Sequence, residues 1–120
     1  MRQIPTIEML LATWIEAFNK HDLDTHAGLY LENATLFGSI PELVIGRKAI
    51  REYFGRRGPN VRVHHYPYPH ILRLSPGVAA TAAHVDFADG ERLMPYRVTW
   101  MLLQRDGNWQ IAQHHGSPRV

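Results

Sequence analysis

The chain has 120 residues, of which 45% are hydrophobic and 20% are charged, and these values are typical of one soluble globular domain rather than of a disordered or membrane protein. Its formal net charge is only +2, so the electric field of the whole chain is too weak to predict a nucleic-acid partner. It contains no cysteine, which excludes disulfides, thiolate metal sites and a cysteine nucleophile and favours a cytoplasmic location.

Neither a membrane span nor a leader is predicted. The longest stretch without a charged residue, residues 74–85, is shorter than the roughly 20 apolar residues of a membrane-spanning helix. The first residues run into a helical pattern that contains Glu8 and Glu16, instead of the apolar core and cleavage site of a secretory signal. We therefore predict one cytoplasmic domain over residues 1–120, with no membrane partner.

The first predicted helix covers residues 6–20. Thr6 is expected to be its N-cap, and the charge of Glu8 should meet the positive end of the helix dipole. The evidence for the helix is a stripe of six apolar residues at spacings of three and four, namely Ile7, Leu10, Leu11, Trp14, Ile15 and Phe18.

Two more helices are predicted before residue 58. A short one is capped by Asp22 or Asp24, and its inward residues are Leu23, Ala27 and Tyr30. The other covers residues 47–57 and ends before the pair Gly58-Pro59. Its apolar side consists of Ile50, Tyr53 and Phe54, and its charged side consists of Arg47, Lys48, Arg51 and Glu52.

The rest of the chain is predicted to be strand and loop. A short strand over residues 34–38 precedes a loop over residues 39–46. Four strands follow Pro59, and two Asp-Gly pairs separate the last three as hairpin turns; their ranges are 61–74, 78–88, 93–103 and 108–115. Pro67 and Pro69 cannot donate ladder hydrogen bonds, so residues 64–70 should form an edge or a bulge.

This order predicts an α+β fold, in which three N-terminal helices cover one face of a curved, mainly antiparallel sheet. The result is a cone with a hollow between helices and sheet, where a ligand could bind.

Several segments resemble the SnoaL-like group of the NTF2-like superfamily. Residues 14–22 (WIEAFNKHD), 29–30 (LY) and 34–37 (ATLF) resemble its opening. Residues 46–54 (GRKAIREYF) resemble its third helix, and residues 105–109 (RDGNW) with 115–117 (HGS) resemble its closing hairpin and last strand. The chain is similar in particular to the association (hub) domain of calcium/calmodulin-dependent protein kinase II.

The resemblance implies a cone-shaped pocket and a homo-oligomer, which is a dimer in many members and a larger ring in the hub domains. It does not imply one activity, because the members include isomerases, cyclases, dehydratases, hydrolases, transport factors and assembly domains.

Alternation along the last strand predicts its polar site residues. Trp109, Ile111, Gln113 and His115 share one face of a regular strand. We expect this face to lie against the helices, with Gln113 and His115 near the open end of the cone, where polar groups would orient a ligand. The alternative is that His115 is a structural histidine bonded to a backbone carbonyl.

A pocket arginine is the second polar candidate. Arg97 belongs to one of two largely apolar alternating sets on its strand, and on the concave side it would hold a ligand carboxylate through two hydrogen bonds. Trp100 falls at the register position of the hub domain's arginine on that strand, so the resemblance does not support Arg97. The alternative is that Arg97 is an exposed cation at a strand end.

Acid-base residues are few. His115 and Asp86 are the weak catalytic candidates, although Asp86 should lie on the face away from the helices, in solvent or in a subunit interface. Asp24 and Glu32 are interpreted as capping or surface residues.

Metal, cofactor and nucleic-acid sites are not predicted. Two adjacent histidines occur at His64-His65 and at His114-His115. The two side chains of each pair point to opposite faces of their strand, so they cannot both bind one ion without a bulge. No cofactor fingerprint is present. The basic run lacks interleaved aromatic residues and is interpreted as a solvated charged surface; its members are Arg47, Lys48, Arg51, Arg56, Arg57 and Arg62.

Two functions therefore stay open. The first is a small-molecule pocket, with turnover by isomerisation, cyclisation or hydrolysis undecided. Its predicted apolar walls are Trp14, Phe18, Tyr30, Phe37 and Tyr53, and its polar residues are Arg97, Gln113 and His115. The second is a non-catalytic association domain whose outer sheet face, including His84, Asp86 and Trp100, is buried against a copy.

Overall fold

The computed structural model describes residues 3–119, and these form three helices and one seven-stranded sheet. The helices are α1 (Ile7–Asn19), α2 (Leu23–Gly28) and α3 (Arg47–Gly55). The strands are β1 (Tyr30–Phe37), β2 (Val44–Ile45), β3 (Val61–His65), β4 (His70–Ser75), β5 (Val78–Asp89), β6 (Arg92–Arg105) and β7 (Asn108–Pro118).

The strand order is β2-β1-β7-β6-β5-β3, with β4 also paired to β5. The β1–β7 pair is parallel, and the other pairs among the described residues are antiparallel. This arrangement confirms the predicted α+β fold with a mainly antiparallel sheet.

Helix α1 forms where the apolar stripe predicts it. Thr6 Oγ1 accepts a hydrogen bond from Met9 N at 3.1 Å, which confirms the predicted N-cap. Five of the six stripe residues are buried, and Ile15 is half-buried. Because each fully buried large apolar side chain contributes ~1.5–3 kcal/mol, the stripe holds α1 against the sheet.

The short second helix is capped by the first of its two candidates. Asp22 Oδ1 accepts a hydrogen bond from Thr25 N at 3.2 Å, whereas Asp24 forms an ion pair with Arg51 at 2.7 Å. Helix α2 ends at Gly28, and Tyr30 already belongs to β1, four positions before the predicted strand start. The early start follows from sheet pairing, since Tyr30 is opposite Ile111 of β7.

The predicted strand over residues 61–74 is two strands. Residues 66–69, which include both prolines, separate β3 from β4. Both strands pair with β5, β3 near its end and β4 near its beginning. The prolines therefore lie at a sheet edge, as their missing N–H groups predict.

The sheet has an inner face under the helices and an outer face opposite them. On β6, Val98, Trp100 and Leu102 are buried and belong to the inner face, whereas Arg97 and Thr99 are exposed on the outer face. The set that contains Arg97 therefore does not lie on the concave side, and that expectation is wrong. Trp100 likewise does not belong to the outer face.

A β-bulge at Ala112 changes the face of every later residue in β7. Gln113 is opposite Met101 and Ile111 is opposite Leu102, so Ala112 has no partner in β6. Ile111 and His114 are buried, and Gln113 is exposed. One extra residue reverses strict alternation, so the prediction that Gln113 and His115 face the helices is wrong.

The tight turn between β6 and β7 gives a stability prediction. Asp106 and Gly107 have φ angles of 51° and 76°, a left-handed pair that suits a two-residue hairpin turn. Gly107→Ala should lower the free energy of unfolding by ~1–2 kcal/mol, because a Cβ disfavours this conformation. Gly28→Ala is the matched control, since its added Cβ meets nothing within 4 Å, and it should be neutral or stabilising. Urea unfolding measures the free energy of unfolding of both variants. An equal change in the two variants would contradict the role given to the Gly107 conformation.

Candidate functional site

A chain of buried hydrogen bonds joins α1 to the sheet, and we call its four residues the polar cluster: Trp14, Tyr30, Trp100 and His114. Trp14 Nε1 donates to the Tyr30 hydroxyl at 3.0 Å, and that hydroxyl is 2.9 Å from His114 Nδ1. Trp100 Nε1 donates to the same Nδ1 atom at 3.0 Å. All four side chains are at most 6% exposed, so these bonds are protected from water.

The donors decide the tautomer of His114. An indole N–H only donates, so Nδ1 must be the acceptor of the Trp100 bond and carries no proton. Since Nδ1 carries no proton, the Tyr30 hydroxyl can only donate to it, and the two donors share the single lone pair of Nδ1. A neutral His114 must then be protonated at Nε2, and Nε2 forms no hydrogen bond with any described residue.

A second histidine packs against the polar cluster. The His26 ring centroid lies 4.7 Å from that of Trp14 and 4.5 Å from that of Phe54, and its Nε2 is buried without a partner. Burial lowers the pKa of His26 to about 3, and the nearby His114 acts in the same direction. Burial also lowers the pKa of His114 to about 3. Both rings are therefore neutral at physiological pH.

A cavity of about 380 Å³, which we call the mouth cavity, opens between α3 and the β5–β6 end of the sheet. Its volume is that of a small-molecule site. Its polar groups include Ser39, Arg57 and Asp89. Its apolar walls are formed by Phe18, Tyr53, Phe54, Phe87, Met94 and Tyr96.

Arg57 is the cation of the mouth cavity. Its guanidinium Cζ lies 3.8 Å from the centroid of the Phe18 ring. One of its Nη atoms donates to the Phe18 carbonyl, and the other donates to the Val61 carbonyl at 3.3 Å. Its Nε is buried without a partner, and Arg57 forms no ion pair with a carboxylate among residues 3–119. Burial lowers the pKa of Arg57 to about 10, with Arg62 acting in the same direction. The group stays charged at neutral pH, and no described carboxylate is its counter-ion.

Four predicted wall residues lie on the inner side of the cone. Trp14 and Tyr30 belong to the polar cluster, one layer behind the cavity wall. Phe18 and Tyr53 line the mouth cavity itself. The Tyr53 hydroxyl is fixed by a hydrogen bond from Ser39 N at 2.8 Å.

The other predicted site residues lie on the outer face, away from the mouth cavity. Phe37 is 38% exposed, and its ring centroid is 5.6 Å from that of His115. Gln113 and His115 line a separate outer groove of about 410 Å³, because the bulge turns them outward. Arg97 is exposed beside His84, which is opposite it in β5.

Asp86 lies where alternation places it, on the face opposite Val85 and Phe87. It is half-buried and forms an ion pair with Arg119. The carboxylate is therefore far from the helix side of the sheet, which removes it as a base for a ligand in the mouth cavity.

A larger groove of about 850 Å³ lies at the other end of β6, near Arg105 and Trp109. Its lining includes both arginines and carboxylates, and one of the carboxylates, Asp24, forms an ion pair with Arg51. The mouth cavity is the candidate functional site because it combines aromatic walls with a cation that has no ion-pair partner among the described residues.

Sequence reasoning missed Arg57, His26 and His114. Arg57 was one member of a basic run, and nothing local separates it from Arg56. His26 belongs to the second helix, which showed only its apolar inward residues. For His114 a signal existed, because a buried indole N–H such as that of Trp100 needs an acceptor.

Within residues 3–119, no three histidine, aspartate or glutamate side chains converge in a way that could hold a metal ion. Among the same residues, no helix has the length and apolar character needed to cross a membrane.

A family model described as a SnoaL-like domain matches residues 7–120, so the chain belongs to the SnoaL-like domain family. This confirms the family that the sequence resembles. No curated protein matches the chain.

Solved structures share the fold at low sequence identity. A ketosteroid isomerase-like protein from Erwinia carotovora atroseptica has a TM-score of 0.79 at 18% identity, covering 95% of this chain and 94% of its own. An NTF2-like protein of unknown function from Pseudomonas putida has a TM-score of 0.81 at 18% identity, and the match covers 92% of this chain and 82% of that protein. A candidate calcium/calmodulin-dependent protein kinase II association domain from Xanthomonas campestris has a TM-score of 0.80 at 23% identity, and the match covers 95% of this chain and 87% of that domain.

The two buried histidines predict acid sensitivity. In the unfolded chain each binds a proton below its ordinary pKa of 6.5, whereas in the folded chain each stays neutral down to about pH 3. The unfolded state therefore binds more protons in this window, and lowering the pH from 7 to 5 should reduce the free energy of unfolding by about 2 kcal/mol per histidine.

Urea unfolding at several pH values measures this loss. His26→Phe should remove about half of it, because the phenyl ring fills the aromatic site without titrating. His70→Gln, a change at an exposed histidine of β4, is the control and should keep the full loss. The same pH dependence in His26→Phe as in the native chain would contradict the assignment.

Proposed function

We propose that this SnoaL-like protein binds a small organic ligand that has an aromatic or aliphatic body and a carboxylate, and that the mouth cavity is its site. The observation that carries the proposal is Arg57, a half-buried cation that has no counter-ion among residues 3–119 and lies in a cavity whose walls are aromatic.

The walls support an apolar ligand body. Phe18, Phe54 and Phe87 belong to one aromatic group, with Phe18 5.1 Å from Phe87 and 6.3 Å from Phe54 between ring centroids. Contact with such rings removes apolar surface from water at about 25 cal/mol per Å². Tyr96 is 5.7 Å from Phe87 and continues the wall toward the opening.

The positive charge of Arg57 supports a ligand that carries a carboxylate. Holding a guanidinium partly out of water is costly unless an anion compensates it. The described carboxylate of the cavity, Asp89, is exposed and is not within ion-pair distance of Arg57. Each Nη atom of Arg57 donates to a backbone carbonyl, that of Val61 or of Phe18, and has a second N–H. A ligand carboxylate that accepts from these second N–H groups would supply the missing partner in a charge-assisted bond. Arg57 thus takes the role that the sequence suggested for Arg97.

Binding is proposed rather than a particular reaction. Isomerisation, cyclisation and hydrolysis all need a proton acceptor next to the ligand, and a neutral His114 with an occupied Nδ1 does not provide one. His115 and Asp86, the catalytic candidates from the sequence, lie on the outer face.

The proposal predicts charge-selective binding. In isothermal titration calorimetry, 4-phenylbutanoate should bind more tightly than 4-phenyl-1-butanol, which has the same body without the charge. Arg57→Gln should weaken 4-phenylbutanoate binding by about 10- to 100-fold, the value of a charge-assisted hydrogen bond, and leave the alcohol nearly unaffected.

Arg62→Gln is the matched control. It removes the same charge from an exposed residue that is not part of the cavity lining, so it should change binding less than threefold. Equal losses of affinity in the two variants would mean that Arg57 acts only through long-range charge attraction and not through direct contact. The proposal would be overturned if 4-phenylbutanoate did not bind to the native chain.

A second candidate function is association with a copy through the outer face. The outer groove contains Leu72, which is 51% exposed, together with Thr99, Met101 and His115. Exposed apolar side chains grouped on one sheet face are typical of subunit interfaces. We propose a homodimer as the smallest assembly that would cover them.

Analytical ultracentrifugation tests the association. The native chain should sediment as a dimer or a larger homo-oligomer, and Leu72→Glu should shift it toward the monomer because a charge would be buried in the interface. Glu52→Gln, a change on the exposed side of α3, is the control and should leave the oligomer intact. A monomeric native chain at micromolar concentration would rule this candidate out.

A further inference from the structure

We infer that the mouth cavity selects ligands that carry an ammonium group next to the carboxylate, and that Asp89 is the residue that recognises this ammonium. The ligand class is then an α-amino acid with an aromatic or aliphatic side chain. The inference rests on the proposed function, in which Arg57 binds the carboxylate, and it adds a second charged contact in the same cavity.

The carboxylate of Asp89 belongs to the inner side of the sheet. Successive side chains of a strand point to opposite faces, so Asp89 shares its face with Val85 and Phe87 of β5. The register between β5 and β6 is regular from Val78 to Asp89, and therefore no bulge reverses this alternation. Asp89 and Phe87 both line the mouth cavity, which places the carboxylate beside the aromatic wall.

Two contacts bring Asp89 and Arg57 to the same part of the cavity. Asp89 is directly opposite Val61 in the sheet, and the Val61 carbonyl accepts from Arg57 Nη1 at 3.3 Å. The same Nη1 atom is 3.5 Å from the Gly58 carbonyl oxygen, too long for a strong hydrogen bond. Asp89 Oδ2 is 3.7 Å from the point that a Cβ on Gly58 would occupy. The anion and the cation are thus neighbours around one glycine.

These neighbours do not neutralise each other. Within residues 3–119, neither Arg57 nor Asp89 forms an ion pair, either with the other or with a third residue. Arg92 is directly opposite Asp89 in β6, but it is not within ion-pair distance of the carboxylate either. The cavity therefore presents one positive and one negative group to a ligand.

A ligand with both signs of charge matches this pair better than a simple anion does. A carboxylate bound at Arg57 has Asp89 as a like-charged neighbour, and like charges repel. The nitrogen of an α-amino acid is bonded to the same carbon as the carboxylate, so the ammonium would lie between the two anions. It would offset their repulsion and donate a charge-assisted hydrogen bond to Asp89.

Two probes that differ only in the amino group test the inference, namely 4-phenylbutanoate and L-2-amino-4-phenylbutanoate. In isothermal titration calorimetry at pH 7 with the native chain, the amino acid should bind about two- to fivefold more tightly, the value of a solvated ion pair. The D form should bind with a different affinity from the L form, because the apolar body, the carboxylate and the ammonium fix the ligand at three points.

One substitution should move the two affinities in opposite directions. Asp89→Asn removes the partner of the ammonium, so the amino acid should bind about two- to fivefold more weakly than to the native chain. The same change removes the repulsion, so 4-phenylbutanoate should bind at least as tightly as before. Glu91→Gln is the matched control, since it removes an exposed carboxylate that is not part of the cavity lining, and it should keep the native preference.

The outcomes separate this inference from the proposed function. Equal affinities of the native chain for the two probes, equal affinities for the L and D forms, or an unchanged preference in Asp89→Asn would each overturn the role of Asp89. The carboxylate site would then remain intact. If the native chain binds neither probe, the carboxylate-ligand function and the amino-acid inference fail together.

Discussion

The convergence of two donors on one imidazole nitrogen links most of the structure together. Through His114 Nδ1, strand β7 is tied to Trp100 of β6 and to Tyr30 of β1, and through Tyr30 it reaches Trp14 of α1. Each of these groups would cost about 1–3 kcal/mol if it were buried without a partner. Because Trp14 is the α1 member of the cluster, these hydrogen bonds help to position α1 on the sheet.

The cluster also divides the interior electrostatically. At the deep end, His26 and His114 are neutral because burial disfavours their charged forms. At the opening, Arg57 retains its charge because half of it reaches solvent and its ring partner Phe18 attracts cations. In the proposed function, the carboxylate of the ligand would therefore lie at the opening, next to Arg57.

Much of the fold could be predicted because its signals are local. The stripe of α1, the Asp106-Gly107 turn and the two edge prolines each depend on neighbouring residues, and each lies where predicted. The face of β7 could not be predicted, because the bulge at Ala112 is set by pairing with β6 and no glycine or proline adjoins it. That single residue exchanged the roles of His114 and His115. The predicted faces of Gln113 and His115 were wrong for this reason, although the predicted fold was confirmed.

The tautomer of His114 makes it a poor base. A general base needs a free lone pair and a pKa near the working pH, whereas Nδ1 is occupied and the pKa of the ring is about 3. Proton abstraction in the mouth cavity would therefore fall to Asp89, the carboxylate among the described lining residues. Its exposure keeps it hydrated, so an enzymatic role requires a ligand that covers it. The described groups of the mouth cavity therefore favour the proposed binding function over a catalytic one.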